Sequence, residues 1–239
     1  MSFAFVASES GTDNTSGTTL DCTGSLNIVA GDVLIVAGSW ETSTTTIAVQ
    51  STDTDNAMTM LAVASTGVNN NFVALGYILV GELNGTATFR MTLGAARGYR
   101  SLGVFQFRPD GGDTCSLESG PSANDGTGEA MTTGSITPTG DDIIVVATAK
   151  NYLSTLFNTE EIGGSSADGA LDMSNFAGMW YTLYTAAPGA ITGTANGMNS
   201  VWVADILAIK AVAAGGGLPI PVAMYYRRLM ANVIANAAN

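Results

Sequence analysis

Gly31-Asp32-Val33-Leu34-Ile35-Val36-Ala37-Gly38-Ser39-Trp40 decides how this chain folds. A Gly-Asp turn signal opens it, and the apolar, β-branched run behind it is too short and too unbroken for an amphipathic helix. Such a run fits one strand buried in a core. The chain then writes it a second time, as Asp141-Asp142-Ile143-Ile144-Val145-Val146-Ala147-Thr148-Ala149. The surroundings match as well: Thr23-Gly24-Ser25 with Thr133-Gly134-Ser135, Asn71-Phe72 and Tyr77 with Asn175-Phe176 and Tyr181, Ser101-Leu102 and Val104 with Ser200-Val201 and Val203. Three matches in the same order predict two versions of one β unit, the second with shorter loops.

Around the first copy lie short strand candidates at Phe3 to Ala7, Leu20 to Ile28, Thr46 to Val49, Met58 to Ala64, Phe72 to Val80, Thr86 to Leu93 and Ser101 to Phe107. Seven or eight short strands per unit are the spacing of a sandwich or jelly roll. The expected architecture is all-β: two tandem antiparallel β-sandwich units, jelly-roll or immunoglobulin-like, over residues 1–109 and 129–213. Residues 110–128, rich in Asp, Gly, Ser and Pro, are predicted to be a linker with room for one short strand near Cys115 to Leu117. A glycine spacer and a docking tail fill residues 214–239. Leu218-Pro219-Ile220-Pro221 predicts an extended start to that tail, and Met224 or Tyr225, Leu229, Val233 and Asn236 are spaced for one face of a short helix.

Composition narrows the function. Hydrophobic residues make up 46% of the 239 and charged residues only 12%, so Thr, Ser, Asn and Gly must build much of the surface. The formal net charge is -12, and the 8 basic residues form no footprint for nucleic acid. Residues 1–9 lack the basic and apolar regions of a secretory signal, and no run is long and apolar enough to span a bilayer. The two cysteines, Cys22 and Cys115, have no metal spacing and are expected as unpaired, semi-buried thiols.

Histidine is absent, which removes Ser-His-Asp and Cys-His nucleophile systems and His-containing zinc sites. Neither Lys150 nor Lys210 sits in a catalytic motif. The neighbouring carboxylates Glu160-Glu161 and Asp141-Asp142 point to opposite faces of a strand, so they are expected as solvated turn or edge charges. Asp53, Asp55 and Asn56 offer oxygens that calcium accepts, but a tight turn accounts for them without metal. No enzyme activity and no cofactor are expected. Trp180 and Trp202 lie in apolar strands and belong in the core; Trp40 ends its strand beside Glu41 and is either core or rim packing or a possible glycan contact.

The tail carries the clearest functional signal. An apolar and aromatic segment on a glycine spacer, with Leu218, Ile220, Tyr225, Tyr226, Leu229 and Val233 beside Arg227 and Arg228, is costly to leave in water. It is expected to dock into a neighbouring subunit, aromatics as anchors and arginines on acidic surface, with packing back on its own sandwich and a membrane-surface helix as the alternatives.

Residues Thr23 to Phe107, with Gly31-Asp32, Trp40, Asp53 to Asn56, Tyr77 and Arg100-Ser101-Leu102, resemble a β-sandwich unit of tailed-phage virion proteins and some bacterial surface proteins. The second unit follows the pattern loosely, with Lys150 where the tryptophan would stand. The resemblance implies a structural virion protein (head decoration, fibre or tail-associated) that partners other virion proteins or itself and is assembled in the host cytoplasm. The alternative is a secreted or cell-surface carbohydrate-binding or adhesin module.

Overall fold

The computed structural model of the chain describes residues 3–41, 43, 45–52, 57–65, 71–80, 85–110, 114–150, 158–174, 176–196 and 200–212. Every regular element among them is a β-strand and every strand pair is antiparallel. The first half forms β1 (Phe3–Asp13), β2 (Gly17–Asp21), β3 (Leu26–Ile28), β4 (Val33–Glu41), β5 (Ile47–Ser51) and β6 (Thr59–Met60). It continues through β7 (Ala64–Ser65), β8 (Asn71–Leu79), β9 (Gly85–Ala87), β10 (Phe89–Arg97) and β11 (Arg100–Pro109). The second half adds β12 (Thr114–Ser119), β13 (Asn124–Gly128), β14 (Met131–Thr132), β15 (Asp142–Lys150) and β16 (Asn158–Ile162). Then follow β17 (Ser165–Ser166), β18 (Gly169–Ser174), β19 (Ala177–Tyr184), β20 (Gly193–Asn196) and β21 (Ser200–Val212).

One order is used twice. A large sheet runs β1-β11-β4-β8-β6 in the first half and β12-β21-β15-β19-β18 in the second, with β7 also on β8 and β13 also on β21. Small sheets run β2-β10-β5 and β14-β20-β16-β17, and the pair β3-β9 is answered by a single bridge between Ile136 and Ile191. Ile35 pairs with Tyr77 and Val145 with Tyr181, so those two tyrosines are true counterparts. The other two sequence matches slip. Thr23 N and Gly134 N make the equivalent bonds, to Ser10 O and Ser122 O, and Val104 pairs with Val36 where Ile206 pairs with Val146. In a strand a one-residue shift reverses every face, so short identities cannot fix register by themselves.

Alternation along the central strands builds three apolar layers. From β4, Leu34, Val36 and Trp40 pack with Phe72, Phe89 and Met91 toward the small sheet. Val33, Ile35 and Ala37 point the other way and meet Ile143, Val145, Ala147, Met179 and Tyr181 of the second half. From β15, Ile144 and Val146 join Ile162, Trp180 and Trp202 under the second small sheet. The sheets therefore stack small, large, large, small, and both large sheets are covered on both faces. Double coverage is why β4 and β15 read as unbroken apolar runs; a strand with one wet face would alternate. The two halves share a core, because the central layer draws side chains from both.

The halves meet about a pseudo-two-fold that runs along the strands. β1 and β11 lie over β18 and β19, β4 over β15, and β8 over β15 and β21. At one end Phe5 stacks on Tyr181 with ring centroids 5.0 Å apart. At the other, Ser101 Oγ donates to Ser174 Oγ at 2.9 Å and Asn71 Nδ2 donates to Val201 O at 3.4 Å. Phe3, across from Pro109, and Val212, across from Thr114, thus share one end of the body. The turn at residues 98–99 and the ends of β4, β15 and β13 share the opposite one.

The strand expected near Cys115 to Leu117 is β12, but residues 114–128 are not a linker. β12 and β13 occupy most of them and pair with β21, closing an edge of the second large sheet. Their polar texture misled because an edge strand has little to bury. Met58 to Ala64, expected as one strand, divides into β6 and β7, both on β8. Residues 213–239, with the expected tail helix, lie outside the described residues.

A shared central layer requires the halves to unfold together. Ile35→Ala and Ile143→Ala should each cost about 2–5 kcal/mol and lower the same single calorimetric transition. Two transitions, each moved by only one of the substitutions, would show independent halves.

Candidate functional site

The outer face of the small sheet β14-β20-β16 carries a groove. Met131, Ala195 and Ile162 point into the core beneath it, so the two-residue period turns Thr132, Thr194 and Glu161 outward. Thr194 lies in the middle of this row, across from Thr132 on one side and Glu161 on the other. Between Asn158 and Glu161 the ladder is broken by a bulge. There Thr159 adopts a φ of 52°, a region that a β-branched residue enters only under strain. Asn196 Nδ2 donates to Thr159 Oγ1 at 2.7 Å and holds it. The cavity over this row is about 380 Å³ and is lined by Thr132, Thr159, Glu161, Thr194 and Asn196, with Met131 and Ala195 at its floor.

The first half has the same row, differently filled. Cys22 N donates to Phe89 O where Thr133 N donates to Gly193 O, which aligns β2 and β10 with β14 and β20. Asp21, Arg90 and Gln50 therefore stand where Thr132, Thr194 and Glu161 stand. Arg90 lies across the face and grips Asp21 with two bonds, of 2.6 and 2.7 Å. In the second half two threonines replace that pair. Half-buried Glu161 meets no cation among the described residues.

Charges at the terminal end of the body hold the central strands in place. Gly31, at φ 91°, and Asp141, at φ 58°, make the same left-handed turn before a fully buried aspartate. Asp32 accepts two bonds from Arg108, at 2.7 and 3.0 Å, one from Gln106 at 2.6 Å and one from Val29 N at 3.0 Å. Its counterpart Asp142 lies across from Lys210 and accepts Gly140 N at 2.7 Å. Burial and the neighbouring Glu118 push Asp142 up to about 7. Burial opposes the change at Glu118, but hydrogen bonds with Asp142, Thr139 and Lys210 hold it down at about 2. Asp142 Oδ1 finds no N–H or O–H donor among the described residues.

Other expectations fall as follows. Trp40 is 1% exposed and stacked on Phe72 at 5.6 Å, so it presents no ring face to a sugar. A strand buried on both faces keeps Trp40, one residue before its end, under the sheet rather than at a rim. Trp180 and Trp202 are core. Asp142, expected as a solvated turn charge, is buried instead, because β15 starts inside the layer stack. Both cysteines are free, and burial raises each thiol to about 12. Leu218, Ile220, Tyr225, Tyr226, Arg227, Arg228, Leu229 and Val233 lie outside the described residues, as do Asp53, Asp55 and Asn56. The groove was missed because Thr132, Thr159, Thr194 and Asn196 are ordinary strand-face residues; only alignment of the two halves on Arg90 and Thr194 exposes it.

Asp205 is fully buried on the face of β21 that meets the other half, between Val203 and Leu207. Its Oδ1 accepts Ile206 N at 2.9 Å and its Oδ2 has no hydrogen-bond partner among the described residues; burial raises it from 3.8 to about 7, against the backbone N–H groups of Ile206 and Ser122. The unfolded chain ionises first, so Asp205 lowers stability as pH rises from about 4 to 7, with no further loss above that. The rise corresponds to about 4 kcal/mol. Asp205→Asn should flatten the urea-midpoint profile across this window while leaving the low-pH value nearly unchanged. An unaltered slope would assign the pH dependence to other groups.

Comparison with protein-family models, with curated proteins and with solved structures finds no match to this chain.

Proposed function

We propose that this protein is a non-enzymatic structural subunit of a tailed-phage virion, a capsid decoration, fibre or tail-associated protein. It consists of two tandem jelly-roll β-sandwich units and joins other virion proteins, or copies of itself, through residues 214–239. Strand order carries the reading. In the second half β12 and β13, read as one interrupted strand, pair with β21, β14 with β20, β15 with β19, and β16 with β17. First pairs with last and the pairs close inward, with β18 added on β19 at the edge of the large sheet, which is a long hairpin rolled into two sheets. This order supports a jelly roll over immunoglobulin-like connectivity, and jelly rolls are recurrent in viral coats. The step from fold to role is an analogy at the level of fold, and the tail supplies its second support.

Val212 hands the chain to the tail at the end of the body opposite the turn at residues 98–99. A tail bound to a particle would hold that end down and present the other outward. Arg227, Arg228, Tyr225 and Tyr226 suit such an anchor, since a chain of net charge -12 offers its copies ample acidic surface. Jelly rolls also occur in lectins, which keeps a carbohydrate-binding adhesin as the alternative; it would need contacts other than Trp40.

Light scattering over a range of concentrations tests the assignment. The full chain should form a defined oligomer, and a chain ending at Val212 should be a monomer that melts at the same temperature. Two well-folded monomers of identical behaviour would remove the tail as the assembly element and move the adhesin reading to first place.

A further inference from the structure

The two small sheets differ at one spot, and the difference has the shape of a missing side chain. Over the first, Arg90 stands between Asp21 and Gln50 in the register, and its guanidinium is bonded to Asp21. Over the second, Thr194 takes the place of Arg90 and Thr132 that of Asp21, while Glu161 puts a carboxylate where Gln50 stands. The result is a groove of about 380 Å³ with an anionic group on its wall, hydroxyls of Thr132, Thr159 and Thr194 around it, and the amide of Asn196 beside it. A carboxylate flanked by neutral acceptors matches a planar, fork-shaped cation, and guanidinium pairs with carboxylate through two parallel bonds.

The chain itself carries the matching group. Of its six arginines, Arg90, Arg97, Arg100 and Arg108 belong to the strands, and Arg227-Arg228 stand together in the apolar tail. The geometry points to this groove as the receptor for the tail of a second copy: residues 218–236 of one molecule lie across the β14-β20-β16 face of the next, with Arg227 or Arg228 seated over Thr194 and bonded to Glu161. This rests on the reading of residues 214–239 as the assembly element and names what they assemble onto.

A partner molecule is the better donor because of where the tail starts. Val212 ends β21 at the terminal end of the body, whereas Asn196 leads into the start of β21 at the other. The eleven residues from Trp202 to Val212 span about 33 Å of strand. A molecule would have to double its tail back along its own side to reach its own groove, but it meets a neighbour's head on. Tail and groove are different surfaces, so the contact is head to tail and builds a ring or a filament rather than a two-fold dimer.

The test uses the full chain and reads self-association by sedimentation velocity at low salt, with the melting temperature of each variant as a check on folding. Glu161→Gln, which installs the residue of the first half, should weaken association about tenfold. Thr194→Arg should weaken it at least as much by filling the groove as Arg90 fills its counterpart. Glu161→Arg should abolish association alone and regain it when combined with Arg227→Glu and Arg228→Glu. A synthetic peptide of residues 218–236 should compete with assembly of the unmodified chain and bind neither Thr194→Arg nor Glu161→Arg.

If removal of the tail dissociates the oligomer while Glu161→Gln and Thr194→Arg leave it intact, the groove assignment falls and the tail keeps its role. If association is concentration-independent and the peptide is excluded by the molecule's own tail, the tail closes on its own groove and the head-to-tail arrangement is overturned. If tail removal changes nothing, both readings fall together.

Discussion

The apolar layer between the two large sheets is the constraint on which the other features depend. A sheet with one wet face can alternate apolar and polar residues, but β4 and β15 have no wet face. Val33, Ile35 and Ala37 are claimed by the other half, Leu34, Val36 and Trp40 by their own small sheet. Once both large sheets are interior, the outward-facing sheet surfaces belong to the two small sheets. That division accounts for a chain with only 12% charged residues. Much of its strand surface never meets solvent, and recognition is left to the small sheets, the ends of the body and the tail.

Enclosing both faces of a strand creates a problem where the strand begins, because its first residues must leave a dry stack. Each half answers with an aspartate placed after a left-handed residue and paired with a cation on the final strand: Asp32 with Arg108, Asp142 beside Lys210. The two answers are not equal. The bidentate arginine satisfies Asp32 with help from Gln106, whereas Lys210 is shared with Glu118 and Thr139 and Asp142 Oδ1 finds no N–H or O–H donor among the described residues. Removing the half-exposed cation leaves a fully buried aspartate short of its charged partner, so the starts of β4 and β15 are fixed by charge as their centres are by packing.

Much of this was legible in residue order. The repeated run from Gly31 and from Asp141 gave the two central strands, and the Tyr77 and Tyr181 match gave the true register of their neighbours. The sequence did not reveal that one face of each run served the other half, because Ile35 facing a foreign sheet and Ile35 facing its own are the same letter. Nor could it place β12 and β13: an edge strand of Ser, Asn, Asp and Gly has the composition of a loop, and only pairing with β21 separates the two. Trp40 shows the same limit from another side. Its polar neighbours suggested a rim, but stacking on Phe72 beneath a covered sheet put it in the core. The groove was unreadable for a different reason, since its meaning lies in what Thr132 and Thr194 are not. An arginine that is present can be noticed, whereas one replaced by threonine is noticed only beside its counterpart.

The covalent link between the two-fold-related halves has a consequence for how the molecule can change. In a dimer of identical chains every substitution is made twice, so a pocket emptied on one side is emptied on both and the object keeps its symmetry. Here the Asp21–Arg90 pair could persist in one half while the other lost it. Joining the halves in one polypeptide lets a symmetric scaffold acquire polarity, a direction along which copies can be told front from back, without disturbing the layer that holds it together.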